Sequence, residues 1–170
     1  MYQVNDSVLY GIQGVCKIVE IAEKAFASQK RRYYVLEPIY DNNATIFIPV
    51  DNEELTEKMR RVLSKEEIYA VIDGIPEKKE NWIENESVRK EQYGKIIAQG
   101  DCVELVKLIK ALCRFQKELQ EEGKKLHVAD EHFLKDAEKI LYDEFAHVLH
   151  LDRDNVLPFI ENRIRECEEE

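Results

Sequence analysis

Long hydrophobic runs are missing from this sequence. The apolar stretches last a handful of residues, far short of the ~20 that span a bilayer, so no membrane association is expected. The opening residues, Met1-Tyr2-Gln3-Val4-Asn5-Asp6, contain no basic start followed by an apolar core. No secretory leader is therefore expected, and the cytoplasm is the expected compartment. Cysteine is sparse as well: Cys16, Cys102, Cys113 and Cys167 form no C-x-x-C and no pairing rhythm, which reads as free thiols in a reducing compartment.

The signatures of catalysis are absent too. Four histidines (His127, His132, His147, His150) carry no H-E-x-x-H and no carboxylate or cysteine at a tight ligand spacing, so they read as imidazoles on polar helix faces rather than metal ligands. No G-x-S-x-G occurs. Gly11-Ile12-Gln13-Gly14 joins two strands and never opens a helix, so it reads as a hairpin turn rather than a phosphate cradle. Acidic residues are plentiful, but abundance is not a site. No catalytic residue, metal or cofactor is assigned, and an enzyme is not expected.

Positive charge is also in short supply. With 25 Lys and Arg against 35 Asp and Glu, the chain carries a net −10. The deficit is uneven: residues 1–63 hold 8 basic against 9 acidic residues, and residues 64–170 hold 17 against 26. Affinity for free nucleic acid comes largely from Lys and Arg displacing counterions from phosphates, so the chain should bind DNA poorly by itself.

What is present divides into two modules. Short β-branched and aromatic runs at 7–10, 15–21, 31–36 and 45–50 read as strands, separated by turn-like stretches at 11–14, 27–30 and 41–43. Several short strands within about sixty residues suggest a small curled sheet or partial barrel. Pro49 fits an edge or a strand end, because it offers no amide to a ladder.

From residue 61 onward the pattern is helical. Ser64-Lys65-Glu66-Glu67 is a capping box whose helix should stop near Gly74 and Pro76. A charged, mobile-looking connector, Glu77-Lys78-Lys79-Glu80, leads to Asn81-Trp82 and a helix to about Gln99. Gly100 then stops that helix and Asp101 caps the next. Apolar residues recur at helical spacing through Leu105, Ile109 and Leu112, and again through Phe133, Ala137, Ile140, Leu141, Phe145 and Val148. Gly123 ends or bends the helix between them. Asp154 is expected to cap a last helix that ends in the solvated tail 168–170. The fold class expected is α+β, with a β module over 1–60 and an all-α domain of about five helices over 61–170.

Two features stand apart. Trp82, the only tryptophan, lies among Lys78-Lys79-Glu80-Asn81 and Glu84-Asn85-Glu86. A lone tryptophan is more often a core residue, but one presented among polar neighbours can serve as a wedge or an anchor. The cluster Lys30-Arg31-Arg32 reads as a solvated strand end, or as a patch that meets an acidic partner.

Taken in order, these residues resemble the CarD/CdnL family of bacterial transcription regulators. The resemblance rests on Tyr2-Gln3-Val4-Asn5-Asp6-Ser7-Val8-Leu9-Tyr10, Gly14, Ile18-Val19-Glu20-Ile21, Tyr33-Tyr34-Val35-Leu36 and Thr45-Ile46-Phe47-Ile48-Pro49-Val50. It continues with Asn81-Trp82, Gly100-Asp101 and Ala137-Glu138-Lys139-Ile140-Leu141. It implies a Tudor-like module that binds the β subunit of RNA polymerase, partly by strand pairing. It also implies a helical domain that lies over promoter DNA and stabilises the open complex with a tryptophan wedge at the upstream edge of the bubble. An adaptor on the β subunit without the wedge is the alternative.

Carried onto this sequence, the DNA-binding residues implied are Trp82, Arg89 and Lys90, with a minor-groove contact that is weak on its own. The polymerase-binding residues implied are Lys24, Arg31, Arg32, Phe47 and Pro49. Phe47 stands where the family has an arginine, and Ile83-Glu84-Asn85-Glu86 where it has basic residues. A monomer is expected, with a dimer through an edge strand as the alternative.

Overall fold

The structure is a computed structural model that describes residues 1–41 and 43–169. Asn42, in the expected turn at 41–43, and Glu170, in the expected tail, lie outside the described residues. The chain divides into two compact units, Met1–Val62 and Leu63–Glu170.

The first unit is one antiparallel sheet of five strands: β1 (Ser7–Tyr10), β2 (Val15–Phe26), β3 (Gln29–Pro38), β4 (Ile46–Pro49) and β5 (Met59–Arg61). They run in the order β4-β3-β2-β1-β5, so β4 and β5 are the edges. Pro49 ends the edge strand β4, as its missing amide requires. Gly11 and Gly14 both take positive φ at the β1–β2 connection, where Gly14 donates its amide to the Gly11 carbonyl.

The β2–β3 hairpin turns on Ala27 and Ser28, both at positive φ (48° and 67°). This is the two-residue turn that matches strand twist but ordinarily uses Asn-Gly. Gln29 and Lys30 belong to the strand rather than the turn.

Side chains alternate between faces. One face holds the core: Val8, Cys16, Ile18, Tyr34, Leu36, Ile48 and Met59. Between Ile18↔Leu36 and Glu20↔Val35 the register shifts by one residue on β2. This β-bulge at Val19 flips the parity of everything beyond it. Glu20, Ala22, Lys24 and Phe26 consequently share the opposite, outer face with Arg31, Tyr33 and Val35 of β3 and with Phe47 and Pro49 of β4.

The β1–β2 connection expected as a plain turn forms one turn of 3-10 helix, Gly11–Gln13, and among the described residues two further elements had no sequence counterpart. A short helix, α1 (Glu53–Thr56), is capped by the Asn52 side chain, which accepts from the Leu55 amide. β5, only three residues long, pairs with β1 across fifty residues of chain, through Leu9↔Arg60.

The second unit holds five helices, as expected: α2 (Lys65–Asp73), α3 (Glu86–Gln99), α4 (Cys102–Glu121), α5 (Val128–Leu149) and α6 (Arg153–Glu169). The capping box at Ser64 and Glu67 forms in both directions, Gly100 ends α3 in the left-handed conformation, and Asp101 caps α4. Asp154, expected as the cap of the last helix, lies instead in its first turn. The helix begins at Arg153, two residues earlier than a cap at Asp154 would start it, and the Asp152 carbonyl accepts from the Asn155 amide.

Ile68, Ile72, Val106, Leu141, Phe145, Val156 and Ile160 make the core. Glu144 is buried among them, and its carboxylate accepts the Leu63 amide at 2.9 Å, which ties the start of this unit to α5.

Candidate functional site

The segment between α2 and α3 reads as mobile from its charges, yet it is tied down along α4. The Lys110 ammonium donates to the carbonyls of Ile75 and Lys78, both at 2.8 Å. Arg114, one turn on, pairs with Glu80 and with Glu118 on its own helix. Lys110 and Arg114 lie four apart on one helical face, so they work as successive anchors for the passing chain. The next anchor is Phe115, and the residue it meets is Trp82.

The indole of Trp82 is half-buried and stacks on the Phe115 ring, with centroids 4.1 Å apart and planes 29° from parallel. The Arg89 guanidinium lies 4.7 Å from the indole centroid. A phenyl ring stacked so closely fills one face of the indole, so the guanidinium occupies the other, in cation–π geometry.

Arg89 is itself fixed. It is 4% exposed, and it donates through Nε and Nη2 to the two carboxylate oxygens of Asp130, each at 2.9 Å. Its Nη1 donates to the carbonyls of Ile83 (3.0 Å) and Glu84 (3.2 Å). One turn further along α3, the Tyr93 hydroxyl donates to the Asn81 carbonyl at 3.1 Å. The backbone on both sides of Trp82 is thus bonded to α3, while α4 supplies the stacking ring and the first turn of α5 the counter-charge.

Local chemistry explains why each part is where it is. Asp130 sits in the first turn of α5, where the helix dipole favours a carboxylate. Asn85 caps α3 through its side chain, which accepts from the Val88 amide and sets the turn that brings Arg89 back over the ring. The bidentate fork between guanidinium and carboxylate fixes orientation as well as distance. Pairing with Asp130 raises the pKa of Arg89, so the cation is permanent.

Around the indole lies a shallow pocket of about 390 Å³ lined by Trp82, Glu84, Glu86, Arg89, Phe115 and His127. Glu84 and Glu86 are exposed, and Glu86 pairs with Lys90 at 2.8 Å.

The three residues expected at DNA therefore fall into different places. Trp82 is presented, Lys90 is exposed beside an acidic partner, and Arg89 is buried and spent on Asp130, which leaves it no phosphate-facing charge. Phe115, Tyr93 and Asp130 were missed by sequence reasoning. The one local signal was Phe115 itself, which continues the buried stripe of Leu108, Ala111 and Leu112 by one turn of α4.

On the first unit, the expected polymerase-facing residues divide by face. Lys24, Arg31, Phe47 and Pro49 share the outer face, and Arg32 is on the other. There Arg32 lines a pocket of about 360 Å³ with Tyr2, Ile21, Tyr34 and Val50. The outer face carries an aromatic triad that sequence reasoning did not assemble. Phe26 meets Tyr33 and Phe47 edge-on at 5.2 Å each, and Tyr33 meets Phe47 at 6.3 Å. Phe26 and Phe47 are 45% and 40% exposed, so the triad forms a contiguous apolar patch open to solvent. Lys24 pairs with Glu20 on the same face.

Elsewhere, His127 precedes α5, His132 is exposed, His147 is half-buried, and His150 ends α5 in the left-handed conformation. Burial lowers the pKa of His147, with neighbouring His150 adding to the effect. Among the described residues, no group of three or more His, Cys, Asp and Glu could hold a metal ion. Among them too, no helix is long and apolar enough to cross a membrane.

Comparison with known protein families gives two matches that together span most of the chain. The CarD-like/TRCF RID domain matches residues 2–63, and the CarD C-terminal domain matches residues 67–161. No curated protein matches the chain.

Proposed function

The chain belongs to the CarD family of transcription-associated, RNA polymerase-interacting regulators, and from that premise we propose that it binds the polymerase β subunit and stabilises the promoter open complex, with Trp82 as the wedge at the upstream edge of the bubble. The observation that carries this reading is the presentation of Trp82. A lone tryptophan that served only to fill a core would be buried. This one is half-exposed at the rim of a shallow pocket, and its orientation is set by three helices.

The first unit supplies the affinity. Its outer face offers exposed Phe26 and Phe47 with Arg31 and the Lys24–Glu20 pair beside them, an apolar centre with a charged rim that suits a protein partner. The edge strand β4 offers backbone groups for strand addition, which demands little of the partner's sequence.

Affinity for polymerase then substitutes for affinity for DNA. A chain at −10 cannot grip phosphates, but tethering to polymerase raises its effective concentration at the promoter, and an aromatic entering an unstacked step needs few cations around it. Lys90, exposed on α3, is the cation offered for a phosphate contact, and exposed Lys79 lies nearer to Trp82 in sequence. Arg89 enters the reading as a support for the indole rather than as a contact to DNA.

A second reading keeps the polymerase contact and drops the wedge, which makes the protein an adaptor. Exposed Glu84 and Glu86 beside the indole favour it, since carboxylates repel phosphates. The lifetime of open complexes separates the two, measured after competitor challenge with the protein and with Trp82→Ala. The wedge requires the variant to shorten the lifetime severalfold at unchanged polymerase binding. Equal lifetimes would leave the adaptor, and failure of the intact protein to co-elute with polymerase would remove both.

A further inference from the structure

We propose that Phe115, Arg89 and Asp130 are positioning residues that make Trp82 a pre-set wedge, one that works by the rim of its ring and never leaves its seat. The inference rests on the wedge reading and extends it from the residue to the way the residue acts.

Both faces of the indole are taken. Phe115 stacks on one at 4.1 Å, and the Arg89 guanidinium covers the other at 4.7 Å. A base could stack on either face only after one of these partners moved. Arg89 is the worse candidate to move. Swinging it aside would break two charged hydrogen bonds to Asp130 and release the carbonyls of Ile83 and Glu84. It would also leave a carboxylate that is 1% exposed without its partner. Moving Trp82 instead would pull on a backbone bonded before it by Tyr93 and after it by Arg89. The part of the ring free to meet DNA is therefore its rim.

The consequence is energetic as well as geometric. An aromatic side chain that must find its rotamer on binding loses entropy at that moment, whereas one already held meets its target with that cost settled in folding. It also accounts for the charge around the site. Arg89 lies next to the wedge as a cation, yet Asp130 neutralises it, so its guanidinium serves as a flat, polar backing for the ring. Contact made by the rim of a rigid ring depends on shape, which Glu84 and Glu86 do not oppose as they would oppose a grip on phosphates.

The test uses the full chain, RNA polymerase holoenzyme and a linear promoter fragment. Trp82 is the only tryptophan, so in the free protein its fluorescence reports the seat directly. Two variants open the seat in different ways. Phe115→Leu uncovers one face and leaves the ion pair. Arg89→Met with Asp130→Leu removes the pair without stranding a charge. In each, acrylamide quenching of the indole should rise severalfold, with the helical circular dichroism signal retained. The open-complex lifetime should fall severalfold toward that of Trp82→Ala, with polymerase affinity unchanged.

If quenching does not rise in either variant, the seat does not hold the ring and the inference fails. If quenching rises while lifetimes stay at the wild-type value, and Trp82→Ala still shortens them, the wedge stands but its positioning by these residues is overturned. If Trp82→Ala itself leaves the lifetime unchanged, the wedge reading fails, and this inference with it. Should the double variant not fold, Phe115→Leu decides alone.

Discussion

Asp130→Asn tests the most consequential bond in the helical unit. The two side chains it joins are 5% and 1% exposed, and they meet through a two-pronged contact with both distances at 2.9 Å. Exposed ion pairs contribute about 0–1 kcal/mol, because water screens them and their side chains lose entropy. Neither discount applies at this degree of burial. Truncating one partner of a buried pair costs about 3–5 kcal/mol, most of it the penalty for leaving the other charge unpaired. Here the guanidinium keeps the carbonyls of Ile83 and Glu84, so the lower end, about 3 kcal/mol, is expected.

A unit of about 100 residues loses roughly 4–8 °C of melting temperature per kcal/mol, which sets the expected fall at about 12–24 °C. Thermal melting followed by far-UV circular dichroism measures it, since the helical unit dominates that signal. The companion variant, Arg89→Met with Asp130→Leu, should recover most of the loss, because apolar residues of similar volume strand no charge. A drop of only ~2–3 °C for Asp130→Asn would put the pair in the class of surface pairs and refute the reasoning. So would a double variant as unstable as the single one, since the cost would then lie in packing rather than in an orphaned charge.

Two further outcomes follow from the sheet. Arg31 and Arg32 are neighbours in sequence but lie on opposite faces. If the outer face docks on polymerase, Arg31→Glu should weaken binding severalfold and more strongly at low salt, and Arg32→Glu should do little. Equal effects in a pull-down titration would reject the assignment of faces. At the β2–β3 hairpin, Ala27→Asn together with Ser28→Gly should stabilise the first unit. Positive φ costs a non-glycine residue ~1–2 kcal/mol, Asn relieves part of that at 27, and the entropy of the new glycine at 28 takes back ~0.5–1, so the net gain is about 1 kcal/mol in thermal or denaturant melting. An unchanged or lower midpoint would mean that the turn holds no strain.

What could be read in the sequence was what is chemically local. The capping box at Ser64 and Glu67, the glycine stop at Gly100 and the cap at Asp101 each involve groups within four residues, and each formed. The apolar stripes of α4 and α5 became core because helical spacing alone puts those residues on one side. What escaped depended on distance along the chain. β5 is three residues with no alternation to read, and its partner is β1. The connector looked mobile because its charges look solvated, and nothing nearby announces that Lys110 will cap two of its carbonyls.

The seat of Trp82 is the clearest case. Trp82 was found as an isolated oddity, but Arg89 looked like any exposed helical cation until Asp130, 41 residues away, met it. The aromatic triad on the sheet escaped for a similar reason: assembling Phe26 with Phe47 requires the register of three strands.

The bulge at Val19 sets the phase of the whole outer face. Downstream of it, side chains point the opposite way from where uninterrupted alternation after Ile18 would send them. Deleting that one residue would leave the faces as they are, since Glu20 would then follow Ile18 in an unbroken ladder. Pairing Val19 into the ladder instead would turn Lys24 and Phe26 inward and send Ile21 outward, exchanging the inside and the outside of half a strand. What the outer face presents is therefore written less in the residues that form it than in one residue that stays out of the ladder, so the pairing of Val19 decides which side chains of half a strand meet solvent.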